Sequence, residues 1–146
     1  MKPLCYPAEA ELHLRRGWFN VIPLVGLSIE SQALAQTQRH IQSQLDARGE
    51  IPESEWRTPK TNWGLKVQVD SILQRNIGWT NTWFHPGDPM HILMAAKFGD
   101  GCEASVVAEV ERLIGHTWPE HWTMAILNNM TYAKFLHELE HEISRV

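Results

Sequence analysis

Apolar positions recur along this chain at helical spacing in several separated stretches. Ile29, Ala33, Ile41 and Leu45 fall at multiples of four behind Ser28, which can cap a helix, while Gln32, Gln36, Gln38 and Gln42 occupy mostly other faces. Gly49 ends that pattern. A second helix is predicted over residues 65–77, with Val69, Ile72, Leu73 and Asn76 on one face and Gly78 placed to terminate it. Two strong patterns follow at 103–114 and 131–144, with a shorter helix starting at Pro119 between them. In the last helix, Phe135, Leu136, Leu139 and Ile143 define the stripe expected to be buried.

The segments between these patterns read as loops. Residues 49–64 contain two prolines and no sustained period, and Trp56 and Trp63 are expected to pin them to the core. In residues 78–92, Pro86, Gly87 and Pro89 enforce turns, Asp88 reads as a turn residue, and two tryptophans and a phenylalanine supply area to bury. The apolar run 18–27 could form a strand, but Pro23 argues against a central one, so a helix or loop packed on a bundle is expected. No internal repeat or low-complexity tract interrupts the chain. The predicted class is all-α.

Composition narrows the function. A length of 146 residues with 43% hydrophobic content can build a real core. With 13 basic and 17 acidic residues and a formal charge of -4, no basic stripe exists to neutralise phosphates, which argues against nucleic-acid binding. Only Arg15 and Arg16 are locally basic. Cys5 and Cys102 lie far apart and match no metal or redox spacing, so free thiols in a reducing cytoplasm are expected. The apolar stretch from Val21 to Ile29 is broken by Pro23, Gly26 and Ser28, too short to cross a bilayer, and Lys2 is followed by no continuous apolar region that would make a signal peptide. The expectation is a soluble, cytoplasmic protein. Its seven tryptophans are read as gap-closing core residues, because base stacking normally comes with a positive groove.

The run from Phe98 to Leu139 carries further pattern. It has a Gly-Asp turn at Gly99 and Asp100, an acidic helix ending in Gly115, a turn at Pro119 and Glu120, and a closing helix opened by Thr131 with Phe135, Leu136 and Leu139 inside. This order resembles the second half of an acyl carrier protein, over about a third of the chain. The resemblance implies a four-helix bundle in residues 65–146, preceded by a helical extension and a linker containing Trp and Pro in residues 1–64. It also implies a docking surface for a partner protein on the acidic helix, through Glu103, Glu109 and Glu111. The departure is at the attachment point for the phosphopantetheine arm: an ungapped alignment puts Asp100 there, and a one-residue slip puts Gly101 there. Neither side chain can carry a phosphodiester. Ser105 is nearby but inside the helix, where it should be a poor acceptor.

One catalytic pattern competes. His137, Glu138 and His141 match the zinc-hydrolase motif, in which histidines at i and i+4 share a helix face and the glutamate takes a proton from metal-bound water. The motif lies five residues from the end of the sequence, so a third ligand has to come from His91, His116, His121 or an acidic side chain. Periodicity puts both histidines beside the buried stripe, where a solvated face is the default. Cys102 near a helix start beside His91 or His116 could be a nucleophile, although a small residue fitting a tight turn explains it as well. Two readings therefore stand: a non-catalytic, carrier-like module with no cofactor that binds a protein partner, and a small zinc-dependent hydrolase using His137 and His141. Partner identity and oligomeric state stay open.

Overall fold

In the computed structural model, residues 1–5, 27–57, 60–94 and 102–145 are described. The run 18–26 and the turn 98–101, including Asp100 and Gly101, lie outside them. The described chain is all-helical: α1 is Leu27–Arg48, α2 Trp63–Ile77, α3 Met90–Met94, α4 Cys102–Ile114, α5 Glu120–Leu127 and α6 Tyr132–Ser144. A short 3-10 turn, Glu53–Trp56, interrupts the first loop. Among the described residues the only sheet-like pairing is an isolated bridge between Pro89 and Thr131.

Local chemistry sets the helix boundaries. The Asn62 side chain accepts Leu65 N–H at 3.2 Å, so α2 starts ahead of the expected residue 65. That shift explains why Trp63 does not pin the loop: it sits in the first helical turn, 45% exposed, whereas Trp56 is buried as expected. Gly78 closes α2 in the left-handed region (φ 90), and its N–H returns to Gln74 O at 2.9 Å. Gly115 (φ 76) does the same for α4 by bonding Glu111 O. Pro119 occupies the N-cap of α5, and the Thr131 hydroxyl accepts Lys134 N–H to cap α6.

One continuous core joins these helices. It runs from Leu4, Ile41 and Leu45 through Trp56, Val69, Leu73 and Phe84 to Val110, Trp122, Phe135 and Leu139. Helix α2 packs most extensively on α4, α6 lies against both, and α3 bridges α2, α4 and α5. Residues ahead of 65 therefore share their buried surface with those behind it. The closing helix departs from expectation at one position. Ile143 is 38% exposed and Glu142 is buried in its place, because stepping three residues on from Leu139 keeps position 142 inward, where its carboxylate meets His116 and Arg145.

The left-handed turn gives a test. Nothing lies within 4 Å of a Cβ built on Gly115, so Gly115→Ala meets backbone strain and no clash. Urea unfolding should register a loss of about 1 kcal/mol; an unchanged midpoint would contradict a left-handed residue 115.

Candidate functional site

The densest polar chemistry in the described chain is buried between α2, α6 and the 3-10 turn, at positions the hydrophobic pattern did not flag. Lys66 and Asp70 lie one turn apart on the inner face of α2, each 6% exposed. Lys66 Nζ donates to Asp70 Oδ2 at 2.5 Å, and Tyr132 Oη, from the first turn of α6, donates to Oδ1 at 2.6 Å. Two indoles flank the ammonium: Nζ is 4.7 Å from the Trp56 ring centroid and 5.2 Å from that of Trp63. The Tyr132 ring meets Trp56 and Phe84 edge-on at 5.5 and 5.8 Å. Both titratable oxygens respond to this environment. Burial pushes the Asp70 carboxyl above its ordinary value, against the lowering pull of Lys66 and the hydrogen bond from Tyr132. Burial, and then the adjacent Asp70 carboxylate, push the Tyr132 phenol well above its own.

A second buried carboxylate organises the loop ahead of α3. Asp88 is fully buried and does more than close a turn. Its Oδ2 accepts Arg48 Nη1 and His85 N–H, both at 2.7 Å, and its Oδ1 accepts Leu4 N–H at 2.8 Å.

The acidic residues of α4 are engaged unequally. Glu109 takes a hydrogen bond from Asn76 Nδ2 at 2.8 Å and a close ion pair from Arg75, which tie α4 to the end of α2 and hold its carboxyl below the ordinary value. Glu111 Oε1 accepts Trp118 N–H at 2.8 Å and so braces the turn into α5. Glu103, half-buried at the start of the helix, lies near exposed Ala104 and Ser105. The face expected to dock a partner thus commits two of its three carboxylates to internal bonds. Cys102 opens the helix, but its side chain is outside the described residues.

His137 and His141 are both exposed on the flank of α6, with Glu138 half-buried between them. A shallow cleft of about 10 Å³, room for roughly one water, is lined by His137, Lys60 and Thr61 and bounded by Asn62 and Glu140, whose side chains are hydrogen-bonded at 3.1 Å. His116 is committed elsewhere, its ring nitrogens 2.8 Å from Thr117 O and 3.1 Å from Glu142 Oε2. Among the described residues, no three His, Cys, Asp or Glu side chains are grouped to hold a metal ion. No described helix is long and apolar enough to cross a membrane. Compared with known proteins, the chain matches no family model, no curated protein and no solved structure.

The buried pair behaves differently from the surface histidines under mutation. Lys66→Met leaves Asp70 buried without its cation and should lower stability by about 3 to 5 kcal/mol at neutral pH, whereas Lys66→Met with Asp70→Asn, which keeps an acceptor for Tyr132, should recover most of it. The sign with pH follows from the raised carboxyl. Its contribution is fully present below the unfolded value and is lost as pH rises through the folded one, so the deficit of Lys66→Met should shrink toward pH of about 4. Denaturant titrations at several pH values measure both effects, and a deficit constant with pH would refute the assignment to Asp70.

Substituting His137 and His141 together by Ala should change stability by less than about 0.5 kcal/mol. Elemental analysis of untagged protein should find zinc well below one ion per chain, and stoichiometric zinc lost on this substitution would reverse the expectation.

Proposed function

We propose that this chain is a non-catalytic, carrier-like module that acts by binding a protein partner and takes no phosphopantetheine arm. One observation carries the reading: the order of elements from α2 onward. A first long helix, the short α3, a second long helix closed by Gly115, a short helix entered from Pro119 and a last helix capped by Thr131 resemble the acyl carrier order, with α3 standing where that pattern has its long first loop. Their side chains share one core. Fold order alone does not carry a function, and the chemistry adds the rest. The positions aligned with the attachment site hold Asp100 and Gly101, and the nearest hydroxyl, Ser105, is the fourth residue of α4 instead of the residue ahead of it.

The polar side chains also favour binding over catalysis. Lys66, Asp70 and Tyr132 satisfy one another in the core, and the histidines of α6 stand on an open surface. A catalytic group needs a reachable substrate position within hydrogen-bond distance.

Co-expression with a broad-specificity phosphopantetheinyl transferase, followed by intact-mass spectrometry, tests the missing arm. The mass should remain that of the bare polypeptide. A pantetheine increment mapped to Ser105 would make the protein a working carrier and overturn the proposal.

A further inference from the structure

Residues 2–5 lie across α1 and the 85–88 turn in the manner of a bound peptide. Gln44 of α1 reads the backbone of Cys5 with both ends of its amide: Oε1 accepts Cys5 N–H at 3.2 Å and Nε2 donates to Cys5 O at 2.8 Å. One turn further along α1, Arg48 Nη2 donates to Lys2 O at 3.0 Å. Asp88 Oδ1 accepts Leu4 N–H at 2.8 Å. Three side chains thus hold the backbone of Lys2, Leu4 and Cys5, and a single side chain, Leu4, enters the core at 2% exposure. Pro3 has no N–H to satisfy, and its ring lies against Gly87, 3.5 Å from where a Cβ would stand. Backbone hydrogen bonds with one anchoring pocket are the general form of extended-peptide recognition.

We propose that this groove is a peptide-docking site for an extended Pro-Leu segment of a partner protein, and that residues 2–5 are its occupant in cis. The groove keeps its shape when the segment leaves. Asp88 retains the Arg48 ion pair and the His85 N–H on Oδ2, so its buried charge stays compensated. What the departing segment exposes is a set of aimed polar atoms, Asp88 Oδ1, Arg48 Nη2 and the Gln44 amide, beside the empty leucine pocket. The Gln44 bonds are solvent-exposed, which gives an incoming strand an edge from which to displace the resident one. Specificity resides in the Pro-Leu pair, because the remaining contacts are to main chain apart from a long, exposed one between Cys5 Sγ and Gln44 Oε1 at 3.7 Å. The tethered segment competes at an effective concentration on the order of millimolar, so the wild-type protein binds such a peptide far more weakly than a protein whose own segment is released. This site is separate from α4 and does not depend on the carrier likeness.

The test uses the full chain carrying Leu4→Asp, which expels residues 2–5 from the apolar pocket. A fluorescein-labelled peptide, Met-Lys-Pro-Leu-Ser, is titrated in and followed by anisotropy. Saturable binding to the variant, at least tenfold weaker binding to the wild type, and loss of binding when Gln44→Ala is added or when the peptide leucine becomes aspartate are the expected results. Absence of saturable binding, while amide exchange at residues 4 and 5 shows the segment released, would overturn the proposal. Should Leu4→Asp lose its helical circular dichroism, recovery of that signal on adding peptide supports the site and failure to recover it rejects it. A wild-type dimer that grows with concentration and vanishes in Leu4→Asp would make the occupant a second copy of this chain, and the assignment to a foreign partner would fall.

Discussion

A carboxylate withdrawn wholly from water must find its charge and hydrogen-bond partners inside the protein, and the way Asp88 finds them ties the described chain together. Arg48 supplies the charge from the end of α1, His85 N–H closes the turn and Leu4 N–H brings in the opening segment. The turn so fixed then serves α6. A helix leaves its first amides without internal acceptors, and two of those of α6 are met here: Tyr132 N–H by Asp88 O at 2.8 Å and Ala133 N–H by Pro86 O at 3.0 Å. One buried charge therefore sets where α1 ends against the loop and where α6 begins.

Tyr132 carries that order into the second polar cluster. Its backbone is held by Asp88 and its hydroxyl by Asp70, so the same residue fixes α6 relative to the loop and relative to α2. The energetics of Lys66 and Asp70 are a balance of large opposing effects. Desolvation of each ion costs several kcal/mol. Mutual attraction at 2.5 Å offsets part of this, and the indole faces add about 2 kcal/mol from the buried Trp56 and about 0.5 to 1 kcal/mol from the more exposed Trp63. Such a pair contributes little net stability over an apolar substitute. What it adds is a unique partner for each group, and the only described carboxylate within reach of the Tyr132 hydroxyl is Asp70.

The sequence made the helices legible because their signals are local. Thr131 as a cap, Gly78 and Gly115 in the left-handed region and Pro119 before α5 all act within a few residues, and the 3.6-residue period identified Val69, Ile72, Leu73, Phe135 and Leu139 as buried; the Asn62 cap went unread, and α2 begins ahead of the expected residue. The polar interior escaped the same method. A hydrophobic pattern assigns Lys66, Asp70 and Glu142 to solvent, and their burial depends on partners at distant positions: Tyr132 for Asp70, His116 for Glu142. The i, i+4 spacing of Lys66 and Asp70 was visible, but it is equally the spacing of an exposed helix pair. Asp88 was read as a turn residue, which it is; nothing near it in sequence announces Leu4 or Arg48. The PGDP run showed the turn and hid the ion pair.

The same distinction between local and distant partners reshapes what acidic residues on α4 mean. Charge at regular helical spacing suggests a surface held out to a partner, yet a carboxylate is available to a partner only if its own fold does not use it first. Arg75 and Asn76 hold Glu109, and Trp118 N–H holds Glu111. A basic partner approaching α4 would have to outcompete bonds that also position α2 and the turn into α5. Main-chain hydrogen bonding around residues 2–5 divides the work differently: Arg48 Nη1 and His85 N–H meet Oδ2 of the buried Asp88, while Gln44, Arg48 Nη2 and Asp88 Oδ1 hold the segment. Releasing residues 2–5 would give up the Leu4 N–H bond and the Leu4 side chain in the core, while the Arg48 ion pair that balances the Asp88 charge stays within the scaffold, between α1 and the 85–88 turn.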